Sequence, residues 1–426
     1  MSRDEIRPSG AHRWTVCVLS AACLTGLTGV VYSFGVLYGP IQAAFDISAD
    51  RVSLVFSVNT FLTYVCGIVV GYVVDRYATP WLLVAAVGCW AGGLALTATA
   101  NSYLGVLFFF GCVVALGMGI PYITLYAAVS QWFDRRRGLA LSILSVGFGL
   151  GGLVGPPVTE YLLGRLDWQS TLLVLAIPTT AVIALTAIVL ALAERSVADA
   201  IRTSASSGES DSESPVADQT RTNDESDDGM VAALLEAATS RRYLLVTFGF
   251  VFGLYAFYAL MVHFVPYAES AGVSRETAAL GLGLIGGASI PARLLAGYLS
   301  DLYNRLPVIL VGFALMVVAM VGLVAGSPRW FVVLAAVFGV GNGVVAALYS
   351  PIVVEIFALK DIGTMLGLTS ISFGIAGVAG PYVTGLLVDT TGSYVLGLVV
   401  GIVSLVIGAC CIVLATAPRF ETSEST

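Results

Sequence analysis

Twelve apolar runs organise this chain of 426 residues. They lie at about 14–38, 52–74, 80–100, 103–130, 138–163, 170–193, 243–266, 276–299, 306–326, 330–352, 363–388 and 394–416. Each is long enough to cross a hydrocarbon layer roughly 30 Å thick as a helix. No water reaches the middle of such a layer, so a spanning segment has to satisfy its own backbone N–H and C=O groups. The expected fold class is therefore an all-α integral membrane protein with six spans on each side of a hydrophilic loop. Composition excludes the soluble alternatives: 58% of residues are hydrophobic, 11% are charged, and the mean hydropathy is +0.92. The first run is too long for a cleavable leader and lacks a small-residue cleavage site, so it reads as a retained span.

The basic residues give an orientation. With the N-terminus inside, the cytoplasmic side holds fifteen of the twenty, the outer side only Arg51, Arg165, Arg275 and Arg329, and Arg293 lies within the membrane. Both termini are then cytoplasmic, and the expected location is the cell membrane. The expected domains are a tail at 1–13, a six-helix bundle at 14–193, a linker at 194–240, a second bundle at 241–416 and a tail at 417–426. The linker region is acidic, with 11 of the 27 Asp and Glu residues falling between Glu194 and Glu236. It cannot bury enough apolar surface to fold, except for a short surface helix expected over 229–240. Nineteen of the twenty basic residues are arginine, Lys360 being the one lysine. A lysine-poor, acid-rich solvated surface suggests a host with high internal salt, a halophile; a lysine-rich proteome in that host would exclude this.

The two halves repeat. At an offset of 225, Gly138, Ser145, Phe148, Gly149, Gly152, Gly155, Pro156, Val158 and Thr159 match Gly363, Ser370, Phe373, Gly374, Gly377, Gly380, Pro381, Val383 and Thr384. At 226, Gly71 and Asp75 match Gly297 and Asp301, and Tyr32, Pro40 and Ser48 match Tyr258, Pro266 and Ser274. A duplicated six-helix unit implies a substrate site between the halves. One residue breaks the symmetry: Arg293 stands where the first half has Gly67. It lies about 12 Å of helix before Asp301, where an arginine costs roughly 2.5–3.5 kcal/mol and normally faces a cavity, a partner or an anion. The functional reading is a carboxylate-binding arginine; the structural one is a cation that holds helix ends together on the cytoplasmic side. Its absence from the first half favours function.

Gly71-Tyr-Val-Val-Asp75-Arg76 and its echo Gly297-Tyr-Leu-Ser-Asp301 resemble the loop motif of the major facilitator superfamily. This resemblance implies the major facilitator fold, twelve transmembrane helices in two pseudo-symmetric six-helix bundles, with Gly71, Asp75, Arg76, Gly297 and Asp301 acting in gating. The first copy departs from the pattern at Ala78, Thr79 and Pro80. Within the superfamily, Tyr32-Ser-Phe-Gly-Val-Leu-Tyr38-Gly-Pro40, Trp132-Phe-Asp-Arg-Arg-Arg-Gly138-Leu-Ala140 and Asp389-Thr-Thr-Gly-Ser-Tyr394 resemble the monocarboxylate transporters and their oxalate/formate antiporter relatives. An arginine in the eighth helix binds the substrate carboxylate in that family, and Arg293 matches it; its planar fork of donors suits a carboxylate. Oxalate carriers add a lysine in the eleventh helix, where this chain has Phe373, so the resemblance implies a monocarboxylate. Many eukaryotic members have an aspartate one turn before the arginine; here that position is Ser289.

Tyrosines on helices that surround the central cavity in this superfamily complete the expected site: Tyr32, Tyr38, Tyr122, Tyr126, Tyr255, Tyr258 and Tyr349, with Asn342. They also suit helix packing or an interfacial belt. Glu160 and His263 are candidate proton sites near the outer ends, with ordinary interfacial residues as the alternative. The glycine-proline runs 147–157 and 374–381 read as hinges. The seven cysteines and two histidines lack metal-type spacing, so no metal, disulfide or cofactor is expected, nor a nucleic-acid partner. The chain is thus expected to be a secondary transporter of a small organic anion, a monocarboxylate, working by alternating access as a monomer and without enzymatic activity. Its rivals are an efflux antiporter for lipophilic compounds, with Arg293 structural, and a non-transporting sensor that signals through the acidic loop.

Overall fold

A computed structural model describes residues 10–74, 79–133, 137–206, 240–325, 327–357 and 362–416. The first span is Gly10–Tyr32 continued by Phe34–Phe45, and the second is Ala49–Val74. Thr79–Ala98 is the third, the fourth runs from Tyr103 to Trp132, Arg137–Leu163 is the fifth and Trp168–Ser206 the sixth. The second half continues with Arg241–Ser270, Arg275–Tyr303, Arg305–Val324, Phe331–Phe357, Ile362–Thr391 and Val395–Thr416 as spans seven to twelve. Among the described residues eleven helices are long and apolar enough to cross a membrane. The remaining one, Ala49–Val74, has 26 residues, roughly 39 Å of helix.

The duplication in sequence is a duplication in packing. The first span packs on the fifth and sixth, the second on the fourth, and the third on the fourth and sixth. The same neighbours recur in the second half: seventh on eleventh and twelfth, eighth on tenth, ninth on tenth and twelfth. Small residues permit the closest approaches, since lipid offers no hydrophobic drive for helices to associate. Hydroxyls inside the spans bond to carbonyls of their own helix, as Thr28 does to Leu24 O (2.7 Å) and Thr97 to Gly93 O (2.7 Å). Trp90, fully buried in the third span, donates from Nε1 to Thr179 Oγ1 on the sixth (2.9 Å).

Three local features differ from uninterrupted spans. The first helix is irregular at Ser33, whose hydroxyl bonds back to Gly29 O (2.6 Å), and the segment beyond it packs on the seventh span as well as on its own bundle. The fourth span contains a π-helical turn, Phe109–Val114, and Asn59 of the second span donates from Nδ2 to Phe110 O there (2.8 Å). The amide nitrogen thereby serves a carbonyl of the widened turn, while the buried Asn59 Oδ1 has no partner. The sixth helix runs on to Ser206, past the expected start of the linker at 194. Residues 194–206 contain neither glycine nor proline, so nothing in them stops a helix. The rest of the linker, with its expected surface helix, lies outside the described residues, as do residues 1–9 and the tail 417–426. Outside the membrane, Asp167 caps the sixth helix. Hydrogen bonds from the Ser170 side chain and its N–H (2.7 Å) hold the Asp167 carboxyl below the usual carboxylate range. All seven cysteines are free; Cys17 and Cys23 are buried, whereas Cys410 is exposed rather than packed inside.

The bundles meet along three seams: second span on eleventh, fifth on eighth, and Phe34–Phe45 on seventh. Along the first, Ser57 Oγ donates to Val378 O (3.2 Å), and Cβ atoms added at Gly385 and Gly377 would run into Ser53 and Thr60. Along the second, a Cβ added at Gly286 would stand 2.7 Å from Gly152 Cα and 3.0 Å from Gly149 O. These contacts lie in the half of the molecule remote from the N-terminus of the first helix, so that end is closed.

Candidate functional site

The eighth helix carries Arg293 to the inner limit of this closed region. Its guanidinium donates from Nη1 to Ser145 Oγ on the fifth span (2.9 Å), across the two bundles. Nε is buried and has no hydrogen-bond partner. Among the described residues no ion pair holds Arg293; the pairs present are Arg275–Glu160 and Arg305–Glu355. Ser289, one turn earlier, is turned back on its own helix, donating to Gly286 O (2.6 Å). The cation thus keeps unspent donor capacity between the bundles, an arrangement that favours an anion.

Tyrosines surround it. Tyr32, Tyr122 and Tyr126 lie within electrostatic reach of the guanidinium. Tyr122 is the centre of an aromatic cluster, its ring 5.4 Å from Tyr126, 5.5 Å from Phe148 and 6.3 Å from Tyr64, all edge-to-face. Tyr64 continues the cluster across the seam: its ring lies 5.2 Å from Phe373, and its hydroxyl accepts from Tyr258 (3.0 Å). Phe373 in turn meets Tyr349 edge-on at 5.0 Å, and Tyr32 meets Phe257 at 5.9 Å. A cleft between the halves is lined by Tyr32, Asn59, Thr60, Thr63, Tyr64 and Tyr258, among others.

Of the residues expected at the site, Tyr32, Tyr122, Tyr126, Tyr258 and Tyr349 therefore gather in one aromatic array near Arg293. Asn342 is buried on the tenth helix, beside Gly343, whose added Cβ would stand 2.6 Å from Ser289 O. Tyr38 belongs elsewhere. It is buried at the closed end against His263 of the seventh span (5.4 Å), six residues and roughly 9 Å of helix beyond Tyr32. Tyr255 faces Thr384 within the second half (3.5 Å). Tyr64 and Ser145 escaped the sequence reading. A signal was present for the first: Ser53, Ser57, Thr60 and Tyr64 share one helical face of an apolar span.

The closed end is held by two acid contacts that the repeat relates to each other. At the end of the fifth span, Glu160 pairs with Arg275 at the start of the eighth (2.8 Å), and Arg275 also donates to Val36 O of the first (2.8 Å). At the end of the eleventh, Asp389 accepts from the backbone N–H groups of Ala49 and Asp50 at the start of the second, both at 2.8 Å. Each bundle thus holds a helix start of the other, by a cap at Asp389 and an ion pair at Glu160. Between them His263, 3% exposed, places Nε2 3.1 Å from Ser53 Oγ and 3.0 Å from Pro381 O, while Nδ1 has no partner. A carbonyl only accepts, so Nε2 carries the proton and a second proton on Nδ1 would find no acceptor here.

For the gating residues, Gly71 lies in the second helix and Asp301 in the eighth. Asp75 and Arg76 fall outside the described residues. Among the described residues nothing stands within 4 Å of a Cβ added at Gly297. Among the described residues no three His, Cys, Asp or Glu side chains group as metal ligands.

The comparisons agree with this architecture. The profile of the Major Facilitator Superfamily matches residues 18–295 and 265–426. Curated relatives include an MFS transporter from Aspergillus flavus, 23% identical over 90% of this chain and 81% of its own length. Monocarboxylate transporter 13 of Bos taurus is 26% identical over 97% of this chain and 91% of its own length. Monocarboxylate transporter 11 of Homo sapiens is 26% identical over 91% and 79%. Among solved structures, a bacterial homologue of the human lysosomal transporter Spinster, inward-facing and unoccupied, superposes with a TM-score of 0.72, at 17% identity over 96% of this chain and 98% of that one. The chain belongs to the Major Facilitator Superfamily and is a multi-pass membrane transporter, not an enzyme.

Proposed function

We propose that this transporter carries a small organic monocarboxylate by alternating access, with Arg293 as its anion anchor. The observation that carries the reading is the guanidinium itself: it lies between the bundles, donates one hydrogen bond to Ser145 and keeps Nε buried without a partner. A carboxylate accepts two parallel N–H bonds from such a fork, and the surrounding tyrosines exclude the water that would compete. The relatives named as monocarboxylate transporters support the class. With Phe373 in the eleventh helix, one fixed cation suits one carboxylate.

With the termini cytoplasmic, the closed end is the outer one, and the conformation opens inward at the cell membrane. Glu160, Asp389 and the His263 contacts then form the outer gate, and Gly71, Asp75, Arg76, Gly297 and Asp301 belong to the inner one. Glu160 and His263 come free when the outer gate opens, which is when either takes up a proton in a proton-coupled cycle. A second reading rests on the same Ser145 hydrogen bond: Arg293 then ties the fifth span to the eighth, and the protein exports lipophilic compounds.

The test is counterflow in proteoliposomes at matched high salt, with labelled formate, acetate, lactate, pyruvate and oxalate, for the wild type and Arg293→Gln. Loss of a charge-assisted bond of about 1.5–3 kcal/mol lowers monocarboxylate exchange roughly 10- to 100-fold in a variant that remains folded. Equal exchange by the variant makes Arg293 structural and the export reading the better one. The same exchange under a pH gradient decides proton coupling.

A further inference from the structure

The aromatic array beside Arg293 is larger than a two- or three-carbon acid needs. Five rings from both bundles, Tyr64, Tyr122, Phe148, Tyr349 and Phe373, form one connected cluster, and Tyr32 lines the cleft beside it. Arg293 is bonded to Ser145, one turn before Phe148 on the fifth span, and Tyr122 lies edge-to-face with Phe148, Tyr126 and Tyr64. The Tyr64 ring lies against Phe373, inclined by 32°, with Tyr258 fixing the Tyr64 hydroxyl. Tyr32 belongs to both regions: it lies in the field of Arg293 and it lines the cleft that Tyr64 and Tyr258 also line. An anion held at Arg293 therefore has its tail directed along aromatic surface. Formate or acetate would satisfy the guanidinium and leave that surface without a partner. A flat ring would pack on it edge-to-face or offset, as the protein's own rings already do with one another.

Resting on the anion-carrier reading above, we propose that the substrate is an aromatic monocarboxylate, one ring joined to a carboxylate by a short chain. Its carboxylate pairs with Arg293, and its ring packs against the half-buried rings of Tyr64, Tyr122 and Phe373. Tyr64 is the specificity-determining residue. It joins the rings of the first bundle to those of the second, so it contacts the ring whichever bundle moves. The hydroxyls of Tyr64 and Tyr258 satisfy each other, which leaves the Tyr64 face, not its polar tip, as the surface presented to the ligand. Phe373 serves the same end: where a lysine would demand a second carboxylate, a phenyl ring accepts an uncharged tail.

Counterflow with the full chain in proteoliposomes tests this, with protein-free liposomes subtracted for passive entry of the free acids. Labelled phenylacetate, 3-phenylpropionate, cyclohexylacetate, acetate and lactate are compared for the wild type, Arg293→Gln, Tyr64→Leu and Tyr64→Phe. The expected result is exchange of the aryl acids at least tenfold more efficient than of acetate, and better than of cyclohexylacetate, all of it dependent on Arg293. Tyr64→Leu lowers the phenylacetate-to-acetate ratio by about 2- to 10-fold, the value of one aromatic contact, and Tyr64→Phe retains it. Arg293-dependent exchange of acetate or lactate that equals or exceeds that of the aryl acids overturns the proposal and leaves the anion-carrier reading standing. Cyclohexylacetate carried as well as phenylacetate overturns it too, by making the pocket merely apolar, and so does an unchanged ratio in a folded Tyr64→Leu. If no carboxylate is exchanged by folded wild-type protein, both readings fall.

Discussion

Replacing Gly286 by alanine places a methyl group against the backbone of the opposite bundle. The new Cβ would stand 2.7 Å from Gly152 Cα, 2.8 Å from its carbonyl carbon and 3.0 Å from Gly149 O. Non-bonded carbon atoms rest about 3.5–4.0 Å apart, and backbone atoms cannot rotate aside, so the fifth and eighth helices must separate by roughly 1 Å. Overpacking of this kind costs about 1–3 kcal/mol. The better helix propensity of alanine, about 1 kcal/mol, applies in every conformation and cancels from the equilibrium between them. What remains shifts the population by roughly 5- to 150-fold toward a state with the remote end open. Hydrogen exchange read by mass spectrometry follows this without introduced labels. The amides of Ala49 and Asp50 are held by Asp389 in the closed state and are released when it opens. Exchange at the start of the second helix is expected to quicken in Gly286→Ala. Gly88→Ala is the control, since this exposed glycine of the third span has no described atom within 4 Å of its added Cβ. Equal exchange in the two variants would refute the claim that the Gly286–Gly152 contact holds the closed end.

The same measurement reaches the acid contacts. Asp389→Ala removes a cap worth about 0.5–2 kcal/mol and should favour opening by roughly 2- to 30-fold, whereas Asp389→Asn, whose oxygen still caps, should restore most of the protection; identical behaviour of the two would remove the cross-bundle cap from the account. Glu160→Gln breaks the pair with Arg275, whose side chain is 33% exposed, so screening limits the effect to roughly 1 kcal/mol, about fivefold toward opening. Its effect should shrink on comparing low with high salt, and a salt-independent change would point to packing instead.

Quantities that run along one helix were legible in the sequence. Span lengths, the repeat at 225–226 and the depth of Arg293 depend only on apolar runs and on residue spacing. The array around Arg293 was partly legible, because Tyr32, Tyr122, Tyr126 and Tyr258 sit on spans that face the centre in the resembled family. Tyr38 shows where this stops: six residues beyond Tyr32, its depth was readable, but its partner His263 on the seventh span was not. Tyr64 shows the converse, a residue whose helical face was readable while its partners Phe373 and Tyr258 were not.

By itself the sequence determined that the chain crosses a membrane as twelve helices, that six of them repeat the other six, and that one unpaired cation lies between. A bilayer leaves a long apolar segment no other way to satisfy its backbone, so those conclusions need no tertiary information. Only the tertiary structure decided what meets across the seams: Glu160 with Arg275, Asp389 with the start of the second helix, Ser145 with Arg293, Tyr64 with Phe373. Each pair is separated by more than a hundred residues and by two rigid bundles. Helical periodicity names the face of a residue, but the rotation and docking of whole bundles choose its partner.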